Sequence, residues 1–307
     1  MSIHKIAVIG ANGFIAIHLC KSLQKKPGIQ LYRFGRSPQP ADQNGSYATI
    51  DLLNQVTTRS QIGTMDVVYY LASETYPITS WQNPMMEVDK NLVPFISFMS
   101  AISGTSVKKV VYVSSAGTIY GTTSGKVDER YDKAPFSPYG IMKLAMENLL
   151  NYYRVKEQIA FDIYRISNVY GEGQNTTKGL GIINTFIEKI IRKEPLHVFG
   201  DGSVTRNYIY VKDVAQLMLY SLENIQTSDI FNLSSNDTCS INDLIAILKQ
   251  KSDRSFEVEY TQGRQSDNSF IDLDNSKIIS KNPEFVFTPL ENGIEATFQH
   301  IISNVSF

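Results

Sequence analysis

Cysteine, tryptophan and net charge are scarce in this sequence. Of 307 residues, two are cysteine and one is tryptophan, and 29 Lys and Arg residues against 30 Asp and Glu residues leave a formal net charge of −1. Cys20 and Cys239 are too few for a disulfide scaffold and match no metal-ligand spacing, so we expect a reducing compartment, the cytoplasm, and no bound metal. Without excess positive charge, the chain lacks the electrostatic basis for broad binding to nucleic acid or to an anionic membrane.

Long apolar runs are also absent. Hydrophobic residues make up 42% and charged residues 19% of the chain, which is typical of a water-soluble globular protein. No stretch approaches the roughly 18 apolar residues that a membrane-spanning helix needs. The apolar N-terminal run is interrupted at Gly10 and Gly13 and shows no small-residue cleavage site. We therefore expect neither a membrane protein nor a signal peptide.

Short apolar runs alternate with helical periodicity through the first half of the chain. The pattern predicts strands at residues 3–10, 29–34, 66–72, 109–114 and 161–166, and helices at residues 14–23, 91–102 and 139–155. Such alternation favours a parallel sheet with helices on both faces. The predicted fold class is therefore α/β, with a doubly wound parallel sheet. After Ser240 the pattern predicts one further helix, at residues 241–249, among short strands.

A glycine-containing loop, GANGFIA, joins the first predicted strand to the first predicted helix. Bare backbone at such a loop, together with the positive end of the helix, can hold a pyrophosphate. The position between a strand and a helix favours dinucleotide binding over a plain turn. We predict that the cofactor is contacted by Gly10, Asn12, Gly13, Phe14 and Ile15.

The second strand lacks the acid that usually bonds the ribose 2′-hydroxyl of NAD, and runs instead through Gly35 and Arg36. An arginine here can pair with the 2′-phosphate of NADP, or it can be a solvated surface charge. The predicted cofactor is NAD, with NADP as the alternative. Asp51 and Leu52 suit contact with the adenine ring, although an Asp at this place is just as often a helix cap.

Tyr139 and Lys143 begin a predicted helix as YGIMK, a spacing that puts both side chains on one face. An unperturbed tyrosine, with a pKa of about 10, is a poor base at neutral pH, and a nearby ammonium group stabilises its phenolate. Upstream, a strand enters the hydroxyl-rich segment VVYVSSAGTIYG, which could bring Ser114, Ser115 or Thr118 beside Tyr139.

Together these motifs resemble the extended short-chain dehydrogenase/reductase family, in its sugar-nucleotide epimerase/dehydratase branch, which includes the UDP-glucose 4-epimerases. The resemblance covers nearly the whole chain, through GANGFIA, LAS, SSAGTIYG, YGIMK, YRISNVYG, VFGDGSVTRNYIYVKDV and GRQSD. It implies a Rossmann-type sheet with a smaller C-terminal substrate domain. It also suggests a homodimer built from the helices that contain Asn91 and Tyr139.

The resemblance also implies roles for individual residues. Tyr139 corresponds to the catalytic base, and Lys143 anchors the nicotinamide ribose. Further cofactor contacts are implied for Leu71, Ala72, Ser73 and Asn91. The substrate's nucleotide diphosphate is assigned to Asn168, Val198, Arg206 and Arg264, where the two arginines could instead form surface salt bridges.

The sequence departs from the family pattern at Ala116. The family places a Ser or Thr four residues before the tyrosine of the VYG-type motif, and here that position is Ala116, four before Tyr120. Alanine has no hydroxyl to hydrogen-bond the sugar. Either Ser115 or Thr118 takes that role, or the proton moves directly between Tyr139 and the sugar. Ordinary backbone hydrogen bonding is an equally good interpretation of each hydroxyl.

After Gly171 the sequence changes to a polar, glycine-rich stretch, and this change predicts two domains. We expect residues 1–172 to form the NAD(P)-binding Rossmann core, with residues 207–235 returning to it, and residues 173–307 to form mainly the substrate domain. The predicted function is 4-epimerisation of a UDP-hexose, or of a dTDP-linked hexose, with Tyr139 as base and hydride passing transiently to the nicotinamide. The alternatives are an NADP-dependent reductase or dehydratase of a keto or deoxy sugar nucleotide and, from another class, a non-catalytic NAD(P)-binding sensor.

Overall fold

A computed structural model describes residues 4–38, 46–176, 181–236, 238–262 and 272–304. The strands within these ranges are β1 His4–Ile9, β2 Ile29–Gly35, β3 Tyr47–Thr49, β4 Val67–Tyr70, β5 Lys109–Ser115, β6 Lys126–Val127, β7 Ala160–Ile166, β8 Asn168–Tyr170, β9 Leu196–Phe199, β10 Thr205–Tyr210, β11 Asp229–Leu233, β12 Thr238–Ser240, β13 Val258–Thr261 and β14 Asp272–Leu273.

The α-helices of the described ranges are α1 Phe14–Gln24, α2 Gln55–Ile62, α3 Pro77–Gln82, α4 Met85–Glu87, α5 Val93–Ile102, α6 Ala116–Ile119, α7 Pro138–Glu157, α8 Ile182–Arg192, α9 Val211–Leu217, α10 Ile241–Lys251, α11 Ser276–Lys281 and α12 Leu290–Asn304. A π-helical stretch, Val88–Leu92, joins α4 to α5. A 3-10 helix, Met218–Leu222, continues α9.

The chain divides into two compact units. The first contains the described residues up to Gly121, together with Asp132–Ile166 and Ala215–Phe231. The second contains Thr122–Tyr131, Ser167–Val214 and the described residues from Asn232 onward. The sequence analysis placed the main boundary after residue 172 and the returning segment at residues 207–235. The boundaries of the two observed units differ from these by several residues, and residues 122–131 belong to the second unit rather than to the first. That the first unit binds cofactor and the second binds substrate stays a prediction.

The first unit is built on a seven-stranded sheet with the order β11-β7-β5-β4-β1-β2-β3. The pairs β1 with β2 and β1 with β4 are both parallel, as are β2 with β3, β4 with β5 and β5 with β7. Since β2 and β4 flank β1, the strand order reverses there, and the carboxyl ends of these strands form the crevice where such sheets bind ligands. The predicted α/β class with a doubly wound parallel sheet is confirmed.

Continuous apolar strands explain why this sheet is buried. All four residues of β4 are buried, and Ile6, Ala7 and Val8 of β1 have no exposed surface. Parallel strands covered on both faces have this composition because neither face meets water. On one face, the Tyr70 ring lies with its centroid 5.0 Å from that of Phe95 in α5. This packing fixes the end of β4, from which the next loop leaves the sheet.

Helix α7 has clear start and stop signals. The Ser137 side chain accepts a hydrogen bond from the backbone N–H of Gly140 at 3.1 Å, and Pro138 takes the first helical position. The helix ends at Gln158, which has a left-handed conformation with φ 59°. The observed helix therefore begins one residue before the predicted one and extends slightly beyond its end. Among the described ranges, no helix is both long and apolar enough to cross a membrane.

The second unit carries smaller sheets, with the orders β12-β10-β8, β13-β9 and β14-β6. The prediction of one helix after Ser240 is wrong, since α10, α11 and the 15-residue α12 all lie there. Gly293 obscured α12 because glycine is a poor helix former. A Cβ atom at Gly293 would lie 2.1 Å from the hydroxyl of Tyr170, so close packing against that ring requires glycine.

Candidate active site

The predicted glycine loop lies at the carboxyl end of β1. Gly10 has φ +79°, and a Cβ atom there would lie 2.8 Å from the backbone nitrogen of Ala72, just beyond β4. The backbone N–H groups of Gly10 and Ala11 both donate to the carbonyl of Phe34 in β2, at 2.9 and 3.0 Å. Glycine is required at position 10 because both its conformation and the close approach of β4 exclude a side chain. The loop thus leaves bare backbone at the start of α1, as anion binding needs.

A pocket of about 750 Å³ opens beside this loop, within the first unit. It brings together nine of the residues predicted to bind cofactor: Gly10, Asn12, Gly13, Arg36, Asp51, Leu52, Leu71, Ala72 and Ser73. Phe14 and Ile15 begin α1 and do not line the pocket. Its volume lies within the range of small-molecule and cofactor sites. The bare backbone of the loop, the helix start and the polar side chains fit a dinucleotide.

Arg36 forms an ion pair that the sequence analysis did not predict. Its guanidinium forms a salt bridge with the carboxylate of Glu74, which follows the LAS segment and lines the same pocket. The side chain of Arg36 is 74% exposed. The sequence left two roles open for Arg36: a partner for the 2′-phosphate of NADP, or a solvated surface charge. The structure shows an ion pair at the edge of the pocket instead, and a 2′-phosphate would have to approach the Glu74 carboxylate to reach this arginine.

Two further contacts shape this end of the pocket. The Asp51 carboxylate accepts the backbone N–H of Leu53 at 3.0 Å and so orders the loop before α2, but the cap of that helix is Asn54, so the helix-cap interpretation of Asp51 is wrong. The Tyr47 hydroxyl accepts from the Asn12 amide at 2.9 Å and donates to the carbonyl of Ser37. Sequence reasoning missed Tyr47, because its two hydrogen-bond partners lie in separate loops.

Tyr139 and Lys143 lie together on the first turns of α7. The Lys143 ammonium is 5.4 Å from the centre of the Tyr139 ring and donates a hydrogen bond to the carbonyl of Val113, in β5, at 3.0 Å. The Ser73 side chain lies close enough to the Tyr139 hydroxyl to lower the pKa of this tyrosine. Because Ser73 also lines the cofactor pocket, this contact puts the tyrosine at the edge of that pocket.

Burial controls the ionisation of this pair. The pKa of Tyr139 is raised above its usual value, chiefly by burial and then by the charge of Glu87, whereas the Ser73 side chain acts in the opposite sense. Burial lowers the pKa of Lys143 to about 8, and the carboxylates of Glu87 and Glu147 oppose that change. Without a further positive charge the tyrosine is therefore neutral at pH 7. A cationic group beside the hydroxyl would favour the phenolate.

Asn91 acts on the loop that carries Ser73. Its carbonyl oxygen accepts the backbone N–H of Glu74 at 3.0 Å, and its amide donates to the Thr75 hydroxyl at 2.6 Å and to the Glu87 carboxylate at 2.9 Å. Asn91 is buried in the π-helical stretch Val88–Leu92, and such interruptions are common at functional sites. Sequence reasoning missed Glu87, which is almost completely buried.

The hydroxyl-rich segment approaches the start of α7. A Cβ atom at Gly140 would lie 2.4 Å from the carbonyl oxygen of Thr118, so glycine allows α6 to contact the turn that holds Tyr139. Ser115 ends β5, and Ala116 is fully buried. Ser114 is buried, and its hydroxyl has no hydrogen-bond partner within the described chain. The segment thus lies next to the turn that holds Tyr139, and the choice between Ser115 and Thr118 as the hydroxyl for the sugar stays a prediction.

The residues predicted to bind substrate lie in the second unit. Asn168 in β8 donates its amide to the carbonyl of Asn207 at 3.0 Å, and Arg206 in the adjacent strand β10 donates to the carbonyl of Thr205 at 2.9 Å. Val198 in β9 is buried, so its side chain packs internally. Arg264, with the GRQSD segment, lies outside the described residues.

Comparison with known proteins adds a family to this geometry. The family model described as "NAD dependent epimerase/dehydratase family" matches residues 6–234, which include the glycine loop, the Tyr139 and Lys143 pair and Asn168. The chain belongs to this family. The predicted family is confirmed, and so is the prediction of an enzyme with an NAD-type cofactor.

Individual relatives cover the chain almost completely. The "Putative UDP-glucose 4-epimerase" of Methanocaldococcus jannaschii is 30% identical, over 97% of this chain and 99% of that protein. The crystal structure of UDP-glucuronic acid 4-epimerase from Bacillus cereus, in complex with UDP-glucuronic acid and NAD, has a TM-score of 0.88 and 28% identity, over 97% of this chain and 99% of that one. The dTDP-4-dehydro-6-deoxyglucose reductase of Escherichia coli is 26% identical, over 81% of this chain and 78% of that protein.

Proposed function

We propose that the protein is a UDP-hexose 4-epimerase that retains NAD through its catalytic cycle. One observation carries the proposal: Tyr139 and Lys143 lie together on α7 and both are close to Ser73, which lines the glycine-loop pocket. Two relatives that cover nearly the whole chain bear the names of UDP-glucose and UDP-glucuronic acid 4-epimerases. The pocket and the base thus match an enzyme that oxidises and reduces a sugar within one site.

Most of the residues that would hold NAD line the pocket, and Lys143 lies beside it, close to Ser73. The pyrophosphate would approach the bare backbone at Gly10 and Gly13, and the backbone N–H groups of the first turn of α1, which have no intrahelical partner, would donate to it. Asp51 and Leu52 would contact the adenine end, and Lys143 the nicotinamide ribose. Bound there, NAD supplies the acceptor and later the donor of a hydride at C4 of the sugar, together with a positive charge near Tyr139.

Tyr139 would act as the base and then as the acid. As phenolate it would take the proton of the sugar 4-hydroxyl, and it would return that proton to the 4-keto oxygen once the sugar has turned and hydride adds to the opposite face of C4. Lys143 stabilises the phenolate, and Ser73 holds the hydroxyl in place. Ser115 or Thr118 would hydrogen-bond the sugar hydroxyl in place of the group missing at Ala116.

In this proposal the nucleotide diphosphate binds the second unit. Asn168 and Arg206 lie on adjacent paired strands, β8 and β10, with Asn168 in register with Tyr208. Arginine suits a diphosphate because its planar donors can bind two oxygens at once. We keep Val198 and Arg264 in this set. Binding energy from the diphosphate would retain the keto sugar while it turns.

A reductase of a keto or deoxy sugar nucleotide is the second candidate. It is favoured by Arg36 at the end of β2 and by the Escherichia coli reductase among the relatives. The salt bridge between Arg36 and Glu74 disfavours an NADP-dependent reductase, because a carboxylate beside the arginine repels the 2′-phosphate of NADP. An epimerase regenerates its cofactor, whereas a reductase must exchange it on each turnover.

A deuterium label tests the proposal. UDP-hexose labelled at C4 is incubated with the purified enzyme, and the C4 epimer is analysed by mass spectrometry and NMR. An epimerase returns the label to C4 of the product without consuming added NADH or NADPH. Net consumption of reduced cofactor, or a product that has lost water, would assign the reductase or the dehydratase instead.

Cofactor preference gives a prediction for Glu74. Replacing Glu74 by Gln removes the carboxylate that pairs with Arg36, so the arginine can bind a 2′-phosphate. We expect the ratio of the dissociation constants, NADP over NAD, to fall by about tenfold. Equilibrium binding of both nucleotides to stripped enzyme measures the ratio, with Glu223→Gln as an exposed control. An unchanged ratio would show that the pair does not govern cofactor choice.

We extend the proposal to a homodimer. Apolar side chains are exposed on α5 and α7: Val93 43%, Ile96 38%, Ile141 49%, Tyr152 52% and Val155 72%. Two copies that pair these helices would bury this surface. Light scattering should give twice the mass of 34.5 kDa. A stable monomer at micromolar concentration would contradict the dimer.

We also propose that the protein acts in the cytoplasm. Within the described residues neither Cys20 nor Cys239 forms a disulfide bond, and both are buried. Unbridged cysteines fit a reducing compartment, where sugar nucleotides would have to be available as substrates. Cell fractionation with an antibody against the protein checks this location.

A further inference from the structure

Glu87 is a buried carboxylate that forms no salt bridge with any residue that the structure describes. Only 1% of its surface is exposed. One oxygen, Oε2, accepts a hydrogen bond from the Asn91 amide at 2.9 Å, and the other, Oε1, has no hydrogen-bond partner within the described chain. Burying a carboxylate is costly unless other groups compensate it. A buried acid with a free oxygen is therefore expected to serve a neighbouring group.

The neighbours of Glu87 are the residues of the candidate active site. Glu87 lines a small cavity together with Ser73, Asn91 and Lys143. Lys143 is 8% exposed, and within the described chain its ammonium donates one hydrogen bond, to the carbonyl of Val113. An ammonium group can donate three. Glu87 thus adds a negative charge next to a buried cation that is only partly satisfied.

Other charges around Lys143 are already compensated or neutral. Glu147, one turn along α7, is held by Arg165 at 2.7 Å. The Tyr112 ring from β5 and the Tyr139 ring from α7 lie with their centres 5.0 and 5.4 Å from the ammonium. Burial raises the pKa of Tyr112 far above its usual value, so that it is neutral. Glu87, from α4, is consequently the uncompensated negative charge on this cavity among the described residues.

Tyr139 is affected by the same carboxylate. The groups that act on its hydroxyl are Glu87 from α4, Tyr76 from the start of α3, and Ser73 from the loop after β4. The carboxylate of Glu87 raises the pKa of Tyr139 and also that of Lys143. A negative charge disfavours the phenolate of Tyr139 and favours the ammonium of Lys143. Each effect stabilises the protonated form, so both pKa values rise.

We propose that Glu87 is a positioning residue that sets the pH range in which the Tyr139 and Lys143 pair works, by keeping Lys143 charged at the expense of the Tyr139 phenolate. This inference rests on the proposed function, in which Tyr139 is the base and Lys143 supports it. Asn91 holds the carboxylate in place, and through the same amide it orders the loop of Ser73. The charge of the cavity and the geometry of that loop are thereby linked.

The proposal predicts a particular pH profile for Glu87→Gln. With the positive charge of bound NAD lowering the pKa of Tyr139 below that of Lys143, activity rises as Tyr139 loses its proton and falls as Lys143 loses its own, so the profile is bell-shaped. Because the Glu87 carboxylate raises the pKa of Tyr139 and the pKa of Lys143, its removal lowers both pKa values. We expect the acidic and alkaline limbs to move together toward lower pH, by about one unit. A residue with a purely structural role would lower the profile without moving it.

The first measurement is kcat/KM against pH for the wild type, Glu87→Gln and Glu87→Asp. Glu87→Asp keeps the charge and should keep the limbs near their wild-type positions. Glu223→Gln removes the same charge from an exposed position and should leave the profile unchanged. Limbs that stay in place in Glu87→Gln, at whatever height, would overturn the proposal.

A second measurement does not depend on turnover. Competitive labelling with a small amine-reactive reagent, read by mass spectrometry at the peptide that contains Lys143, reports the titration of this lysine. Its pKa should fall by about one unit in Glu87→Gln. A shifted lysine titration without shifted limbs would overturn the proposal and leave the epimerase intact. A lysine titration that does not shift would overturn the proposal for Glu87 even if no sugar nucleotide is turned over. This measurement therefore distinguishes failure of the Glu87 proposal from failure of the proposed epimerase function.

Discussion

Replacing Tyr139 by Phe should lower kcat for 4-epimerisation by about a hundred- to ten-thousandfold, the usual contribution of a positioned acid or base. Phenylalanine keeps the ring next to Lys143 but removes the hydroxyl that contacts Ser73. Turnover is measured with the enzyme's UDP-hexose substrate, and NAD binding is measured in parallel. NAD affinity should stay within about threefold of the wild type, because Tyr139 is not among the residues that line the glycine-loop pocket.

A matched control separates catalysis from general damage to α7. Tyr152 lies on the same helix with 52% of its surface exposed, so Tyr152→Phe should retain wild-type turnover. Near-normal turnover in Tyr139→Phe would remove Tyr139 as the base. Equal losses in both variants would indicate a perturbed helix.

Replacing Arg165 by Leu should lower the free energy of unfolding by about 3–5 kcal/mol. Arg165 in β7 and Glu147 in α7 form a buried ion pair at 2.7 Å, with side chains 2% and 4% exposed. The arginine also donates to the Tyr120 hydroxyl at 3.0 Å. Removing the cation leaves a buried carboxylate without compensation, and this unpaired charge accounts for most of the loss. Urea unfolding followed by circular dichroism measures the effect.

Two further variants test that explanation. The double variant Arg165→Leu with Glu147→Leu removes both charges and should recover most of the lost stability, because a buried pair can often be replaced by apolar side chains. Arg130→Leu breaks an exposed ion pair with Asp128 and should leave the unfolding midpoint unchanged. A double variant as unstable as Arg165→Leu would show that packing, rather than the unpaired charge, causes the loss.

Local motifs carried most of what the sequence could predict. The glycine loop is recognisable because one short segment must satisfy a turn, a helix start and a close approach to β4 at Gly10. Tyr139 and Lys143 are recognisable because a spacing of four fixes their common helix face. The parallel sheet follows from continuous apolar strands, which few other folds require. In each case the physical constraint lies within a few consecutive residues.

Contacts between distant segments were missed for a physical reason. Arg36 pairs with Glu74, 38 positions away, and no local pattern distinguishes this arginine from a solvated one. Glu87 lies in an irregular stretch before the π-helical turn, where neither helical nor strand periodicity marks a buried position. Helix α12 was missed because Gly293, which its packing against Tyr170 requires, lowers local helix propensity.

The central claim is that the enzyme inverts C4 of a UDP-hexose with a cofactor it regenerates. The most direct test incubates the purified protein, without added nucleotide cofactor, with UDP-glucose, UDP-N-acetylglucosamine and UDP-glucuronic acid separately, and follows each by proton NMR. We predict that at least one is converted to its C4 epimer, and that the same equilibrium is reached from the epimer. If none is converted, or if conversion requires stoichiometric NADPH and yields a reduced sugar, the account is contradicted.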